Sequence, residues 1–171
     1  MGNIILVGFM GTGKSAVGKM LARKLNRPFV DLDRQIEKET GRTVQQIFER
    51  DGEPAFRRLE AKGVREAAAR KGHVIATGGG VMCGEEIVQA LKSSGVLVCL
   101  TASADTILER TSASLVSRPL LAGGDPKERI TELLALRTPY YARADITIDT
   151  TGRTLQEVSE EILCKIEKFK P

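Results

Sequence analysis

The chain has 171 residues, with 26 Lys+Arg against 22 Asp+Glu and a formal net charge of +4. Hydrophobic residues make up 42% and charged residues 28%, a globular balance that excludes a disordered or collagen-like polymer. No apolar run approaches the roughly 20 residues of a membrane span, and with aromatics at 4% and no Trp the basic excess lacks the stacking platform of a nucleic-acid binder.

At roughly 150 residues per domain the length fits a single domain with appendages. Asn3 to Val7 is a continuous apolar run, as in a buried parallel strand. Nothing ahead of it reads as a secretory signal, so a cytoplasmic location is expected. The octet Gly8-Phe9-Met10-Gly11-Thr12-Gly13-Lys14-Ser15 follows at once. It satisfies G-x-x-x-x-G-K-[ST] between a strand and a helix carrying Val17, Met20, Leu21 and Leu25, the context the motif requires. The glycines let backbone amides converge on phosphate oxygens, and the helix N-terminus adds partial positive charge. Lys14 would pair with the β and γ phosphates and Ser15 would ligate Mg²⁺. Gly11, Thr12, Gly13 and Ala16 complete the predicted nucleotide cradle. The competing reading, a glycine-rich turn without a ligand, has to explain the whole octet as coincidence.

A second strand, Pro28 to Asp31, ends in Asp31-Leu32-Asp33. Period-2 spacing would aim both carboxylates at the γ-phosphate region, one holding Mg²⁺ through water and the other orienting a hydroxyl. Alternatively, Asp33 caps a helix from Arg34 to Thr40. Thr43 with Gln46 starts another helix holding Val44, Ile47 and Phe48, and Glu53 to Lys71 reads as a helix with Phe56, Leu59 and Val64 inward. Asp33 to Lys71 is thus a helical insertion before the third strand, His73 to Ala76. That strand ends in Thr77-Gly78-Gly79-Gly80, a backbone-exposing turn with no acid where motor ATPases carry one. The N-K-x-D pattern of switch GTPases is also absent. His73, the single histidine, reads as structural.

Gly95 to Leu100 is a fourth strand. Thr111 to Gly124, with Ser112, Ser114, Ser117, Pro119, Gly123 and Gly124, reads as a mobile loop. Asp125, Pro126 and Glu128 mark the start of a helix running towards Arg143. Ile146 to Asp149 is a fifth strand, and Thr154 with Glu157 caps a terminal helix whose Leu155, Val158, Ile162 and Ile166 share one side. Cys83, Cys99 and Cys164 show no C-x-x-C spacing and read as reduced, mostly buried thiols.

The set Gly8 to Ser15, Asp31-Leu32-Asp33, Phe56-Arg57-Arg58-Leu59-Glu60, Thr77-Gly78-Gly79-Gly80, Arg118-Pro119-Leu120-Leu121 and Arg137-Thr138-Pro139-Tyr140-Tyr141 closely resembles shikimate kinase, in family order from Gly8 to Arg153. The resemblance implies a P-loop α/β fold with a five-stranded parallel sheet in the order 2-3-1-4-5. It also implies phosphoryl transfer from MgATP to the 3-hydroxyl of shikimate, a step of aromatic amino acid biosynthesis, by a monomer. By the same resemblance Asp33 bonds substrate hydroxyls and accepts the proton, and Asp31 supports Mg²⁺ beside Ser15. Arg57 and Arg137 would bind the substrate carboxylate, a group that suits the planar guanidinium fork, with Glu60 orienting Arg57 and Gly78 to Gly80 lining the substrate. Arg118 matches a lid arginine within about 111–124, while Arg110 and Arg153 match positions flanking adenine. One departure is Ser114-Leu115-Val116-Ser117, where the family often has Asp and Lys. The rival readings are another small-molecule kinase, such as a gluconate or nucleoside-monophosphate kinase, and a kinase-shaped binding protein without catalysis. The latter should lack one of Lys14, Asp33, Arg57 or Arg137.

Overall fold

The computed structural model describes residues 2–113, 121 and 125–169. The expected loop of about 111–124 falls largely outside this set, and with it Arg118 and the Ser114 to Ser117 departure. Five strands, β1 (Asn3–Val7), β2 (Phe29–Asp31), β3 (Val74–Ala76), β4 (Gly95–Thr101) and β5 (Ile146–Asp149), form one sheet in the order β2-β3-β1-β4-β5. Every pairing is parallel, with Ile5 opposite Ile75 on one flank and Leu97 on the other. The central position of β1 explains its unbroken apolar run, since both of its sides are covered.

Alternation along the strands feeds two cores. Ile5, Val7, Ile75, Leu97 and Cys99 join Val64 and Ala67 of α3 (Val44–Ala68), Val88 and Leu91 of α4 (Glu85–Ser94), Ile107 of α5 (Ala104–Thr111) and Ile130 of α6 (Pro126–Tyr141). Ile4, Leu6, Val74, Val98 and Leu100 meet Val17 and Leu21 of α1 (Lys14–Leu25) and Val158 and Ile162 of α7 (Leu155–Lys168). Each fully buried aliphatic chain in these layers stabilises the fold by roughly 1.5–3 kcal/mol. A third, smaller cluster of Ile36, Ile47 and Phe56 belongs to α2 (Leu32–Thr40) and α3 alone. The insertion between β2 and β3 therefore carries its own core.

Helix starts follow the caps read from the sequence. Thr43 and Thr154 form complete capping boxes with Gln46 and Glu157, and Asp125 accepts from the Lys127 amide ahead of Pro126. Two expectations, on the start of α2 and on the burial of the cysteines, need correction. The cap of α2 is Asp31, which accepts from the Arg34 amide, and Asp33 lies in the first helical turn, so the extended spacing ends one residue earlier than expected. The two helices expected from Thr43 and from Glu53 are both present and meet at a break at Gly52, whose φ of 81° and ψ of 168° only glycine adopts easily. Of the cysteines, Cys99 is buried whereas Cys83 and Cys164 are exposed. His73 is structural, its amide bonded to the Asn3 side chain. No helix among the described residues is long and apolar enough to cross a membrane.

Candidate active site

The carboxyl ends of β1, β2 and β3 converge at one edge of the sheet, where ligands of open α/β folds bind. There the turn after β1 wraps backwards over the strand ends. Gly8, Gly11 and Gly13 all have positive φ, and a side chain at Gly8 would collide with the Leu100 carbonyl. Within this loop Lys14 Nζ bonds the carbonyls of Gly8 at 2.8 Å and Phe9 at 2.7 Å, and Thr12 Oγ1 bonds the Phe9 carbonyl at 2.8 Å. The lysine arches over its own loop, with the amides of the α1 N-terminus beside it.

Ser15 Oγ donates to Asp31 Oδ2 at 2.6 Å. A hydroxyl and a carboxylate thus meet beside the loop, the pair of hard oxygen donors that a small divalent cation takes together with phosphate oxygens and water. Lys14, Ser15, Asp31, Asp33, Gly79 and Arg110 are among the walls of a cavity of about 380 Å³.

Asp33 has a different environment from Asp31. Its Oδ1 is buried and has no hydrogen-bond partner among the described residues. Burial pushes its carboxyl up to about 6, Glu60 adding to the rise and Lys14 opposing it. Leaving such an atom unpaired costs about 1–3 kcal/mol, a cost that a bound hydroxyl would remove.

A second cavity of about 370 Å³ opens on the other side of the Gly78 to Gly80 turn, and Arg57, Glu60, Gly80 and Arg137 line it. Arg57 is held on two sides: Nη1 lies 2.7 Å from Glu60 Oε2 and Nη2 lies 2.9 Å from Glu53 Oε1. Burial works against its charge, but the two glutamates outweigh that and keep the guanidinium more basic than usual. Arg137 is 8% exposed, lies over the Phe9 ring at 5.4 Å, and leaves Nη1 without a hydrogen-bond partner among the described residues.

The glycine turn fits between these groups because it has no side chains. A Cβ at Gly80 would lie 2.5 Å from Arg57 Nη1 and Nη2, and one at Gly78 would collide with Glu60 Oε1. Tyr141, one helical turn beyond Arg137, anchors the same turn by donating its hydroxyl to the Gly79 carbonyl at 2.5 Å. Burial raises the Tyr141 pKa and keeps it a donor.

The expected residues therefore fall into three groups. Gly11, Gly13, Lys14, Ser15, Ala16, Asp31 and Asp33 meet around the first cavity, with Thr12 buried behind it on the Phe9 carbonyl, and Arg57, Gly80 and Arg137 line the second. Arg110 reaches the first cavity, but its guanidinium is bound to Thr150 Oγ1 at 2.9 Å and to the Thr150 carbonyl at 2.8 Å. Arg153 is bound to Glu161 at 2.5 Å and to the Asp149 carbonyl at 3.1 Å. Sequence reasoning missed Glu53 and Tyr141. The i, i+4 spacing from Glu53 to Arg57 and the same spacing from Arg137 to Tyr141 were the available signals.

A family model described as shikimate kinase matches residues 10–167. A shikimate kinase of Thermodesulfovibrio yellowstonii is 48% identical over 169 residues, covering 99% of this chain and 97% of that protein. One from Caldanaerobacter subterraneus subsp. tengcongensis is 46% identical over 170 residues, covering 99% of each chain. Among solved structures, shikimate kinase from Acinetobacter baumannii in complex with shikimate is 38% identical with a TM-score of 0.94, covering 98% of this chain and 94% of that one. A gluconokinase from Sinorhizobium meliloti, 18% identical with a TM-score of 0.64, covers 98% of this chain and 92% of that one, and shares the fold alone.

Proposed function

The chain belongs to the shikimate kinase family, and from that premise we propose that it transfers the γ-phosphoryl group of ATP to the 3-hydroxyl of shikimate, giving shikimate 3-phosphate and ADP. The observation that carries the reading is the unpaired Asp33 Oδ1, buried between the phosphate loop and the arginine-lined cavity. It offers an acceptor to a hydroxyl whose own carboxylate is held by Arg57 and Arg137.

The chemistry asks mainly for positioning and charge, because the transition state of phosphoryl transfer is loose. Loop amides and Lys14 cradle the phosphates. Asp33 orients the attacking hydroxyl and takes its proton, a task suited to a carboxyl raised to about 6. Arg57 and Arg137 fix the far end of the acceptor, and Tyr141 keeps the glycine turn against it. Ser15 and Asp31 fit Mg²⁺, which when bound neutralises charge on the phosphates. Arg110 is read as bordering the nucleotide. Arg153, bound to Glu161, acts on that subsite by bracing the loop around Asp149.

Two arginines lining one cavity suit an acceptor that carries a carboxylate and argue against a neutral polyol, and retention of Lys14, Asp33, Arg57 and Arg137 argues against a silent relative. The helical insertion serves as the acceptor-binding arm of a single kinase domain. Among the described residues the large exposed apolar side chains are few, Leu136, Tyr140, Leu155 and Phe169, which supports a monomer, and unpaired cysteines support a reducing, cytoplasmic setting.

An ADP-release assay with MgATP and shikimate tests the reading, run beside gluconate, CMP and a substrate-free control, with Arg137→Ala in parallel. Turnover is expected with shikimate alone and sharply weakened in the variant. ATP binding without shikimate turnover would overturn the assignment.

A further inference from the structure

Cys83 closes the 3-10 turn Val81–Cys83 beyond the glycine turn, and its amide donates to the Gly80 carbonyl at 3.1 Å. The residue is exposed, and it lines the 370 Å³ cavity together with Arg57, Glu60 and Arg137. Phosphoryl transfer makes no use of a thiol. Glu53 and Glu60 occupy Arg57, whereas Arg137, more than nine-tenths buried, also lines this cavity and has a buried Nη1 without a hydrogen-bond partner among the described residues. One wall therefore offers a donor for an anion and another a nucleophile.

The other cysteines lack that combination. Cys99 is buried in the sheet, where burial pushes its thiol up to about 11. Cys164 is exposed on α7, which packs with α1 on the opposite side of the sheet from Cys99.

We propose that Cys83 is a covalent modification site inside the acceptor pocket, that it takes small carboxylate-bearing disulfides, and that the resulting mixed disulfide shuts the pocket to shikimate. The proposal rests on placing the acceptor carboxylate between Arg57 and Arg137. A carboxylate bonded by Arg137 holds the reagent near the thiol and raises its effective concentration there. The Cys83 thiol gives its proton to solvent, and its sulfur attacks one sulfur of the disulfide. A new S–S bond forms as the old one breaks, and the electron pair leaves on the departing thiolate. Cys83 is oxidised and half of the reagent is reduced. A dithiol reverses the step.

The test compares inactivation of the full chain by dithiobis(nitrobenzoate), whose halves each carry a carboxylate, with inactivation by dicationic cystamine. Each rate is normalised to that reagent's rate with a small free thiol, and adducts are located by peptide mass. The anionic reagent is expected to act about tenfold faster or more, with the adduct on Cys83. Saturating shikimate should slow it to a similar degree while MgATP does not, and dithiothreitol should restore activity. Cys83→Ser should keep its own starting activity under the same treatment. An adduct confined to Cys99 or Cys164, inactivation of Cys83→Ser at the wild-type rate, or equal normalised rates would overturn the proposal. A Cys83 adduct with the anionic preference intact but no protection by shikimate would leave the modification site standing and reject the acceptor placement.

Discussion

Asp33 and Asp31 stand two residues apart, yet the chain gives them opposite environments. Asp31 caps α2 and meets Ser15, whereas Asp33 is buried against Glu60 with one oxygen unpaired. A carboxyl raised to about 6 in the folded protein binds a proton that the unfolded chain releases near 4. Rising pH therefore favours unfolding between those values, by on the order of 3 kcal/mol when both forms have ionised. Asp33→Asn should remove that loss, so between pH 4 and 7 the melting temperature of the ligand-free wild type should fall relative to that of the variant. The same variant should lose roughly 10²- to 10⁴-fold in kcat, the range for a proton acceptor. It should also lack the acid limb near pH 6 in kcat/KM, as read from steady-state rates. At Tyr141 the lost hydroxyl of Tyr141→Phe strands the Gly79 carbonyl, a cost of about 1–3 kcal/mol. Titrations of each substrate should show the shikimate KM rising at least about fivefold and by a larger factor than the ATP KM, and equal changes in both would argue for a purely structural role.

At the scale of elements, the break in α3 is the part most exposed to mutation. Gly52→Ala forces a side chain into a backbone region open in practice to glycine and should cost roughly 1–3 kcal/mol by chemical denaturation. Thr154→Ala, losing a cap on α7, should cost about 1 kcal/mol. The contrast shows what sequence patterns carry. Caps and strands announce themselves through local residue types, which is why β1, the Thr43 and Thr154 boxes and the Asp125-Pro126 start were legible. The separation of two helices within α3 was legible as well, from the Thr43 start and the run beginning at Glu53, whereas the positive φ at Gly52 was not, because glycine between two amphipathic runs is compatible with a tolerated helix residue or a turn. Helices α4 and α5 went unread although Glu85 and Glu86 in the first turn of one and Ser103 capping the other were visible signals. In the site, the loop was legible from its own motif, whereas Arg57 and Arg137 came only from the family resemblance. The second partner of Arg57, the anchor role of Tyr141 and the exposure of Cys83 depend on contacts between distant segments, which no local pattern encodes.

At the scale of the molecule, the arm formed by α2 and by α3 as far as Leu59 rests on a small cluster separate from the two layers around the sheet. Opening it exposes little apolar surface, so its amides should exchange with solvent faster than those of β1 and β4. Hydrogen exchange followed by mass spectrometry should find this difference without ligands, and shikimate should narrow it by tying Arg57 of the arm to Arg137 of α6. Equal protection in arm and sheet would contradict the separate core.

The glycine turn after β3 has a thermodynamic consequence. Gly79 lines the nucleotide-side cavity and Gly80 the acceptor-side cavity, so one short stretch of backbone is a wall common to both. A ligand that settles this wall on one side spares the other ligand part of the ordering cost. Linkage then requires the benefit to be mutual: the factor by which nucleotide tightens acceptor binding equals the factor by which acceptor tightens nucleotide binding. Calorimetric titrations in both orders would measure that single factor twice.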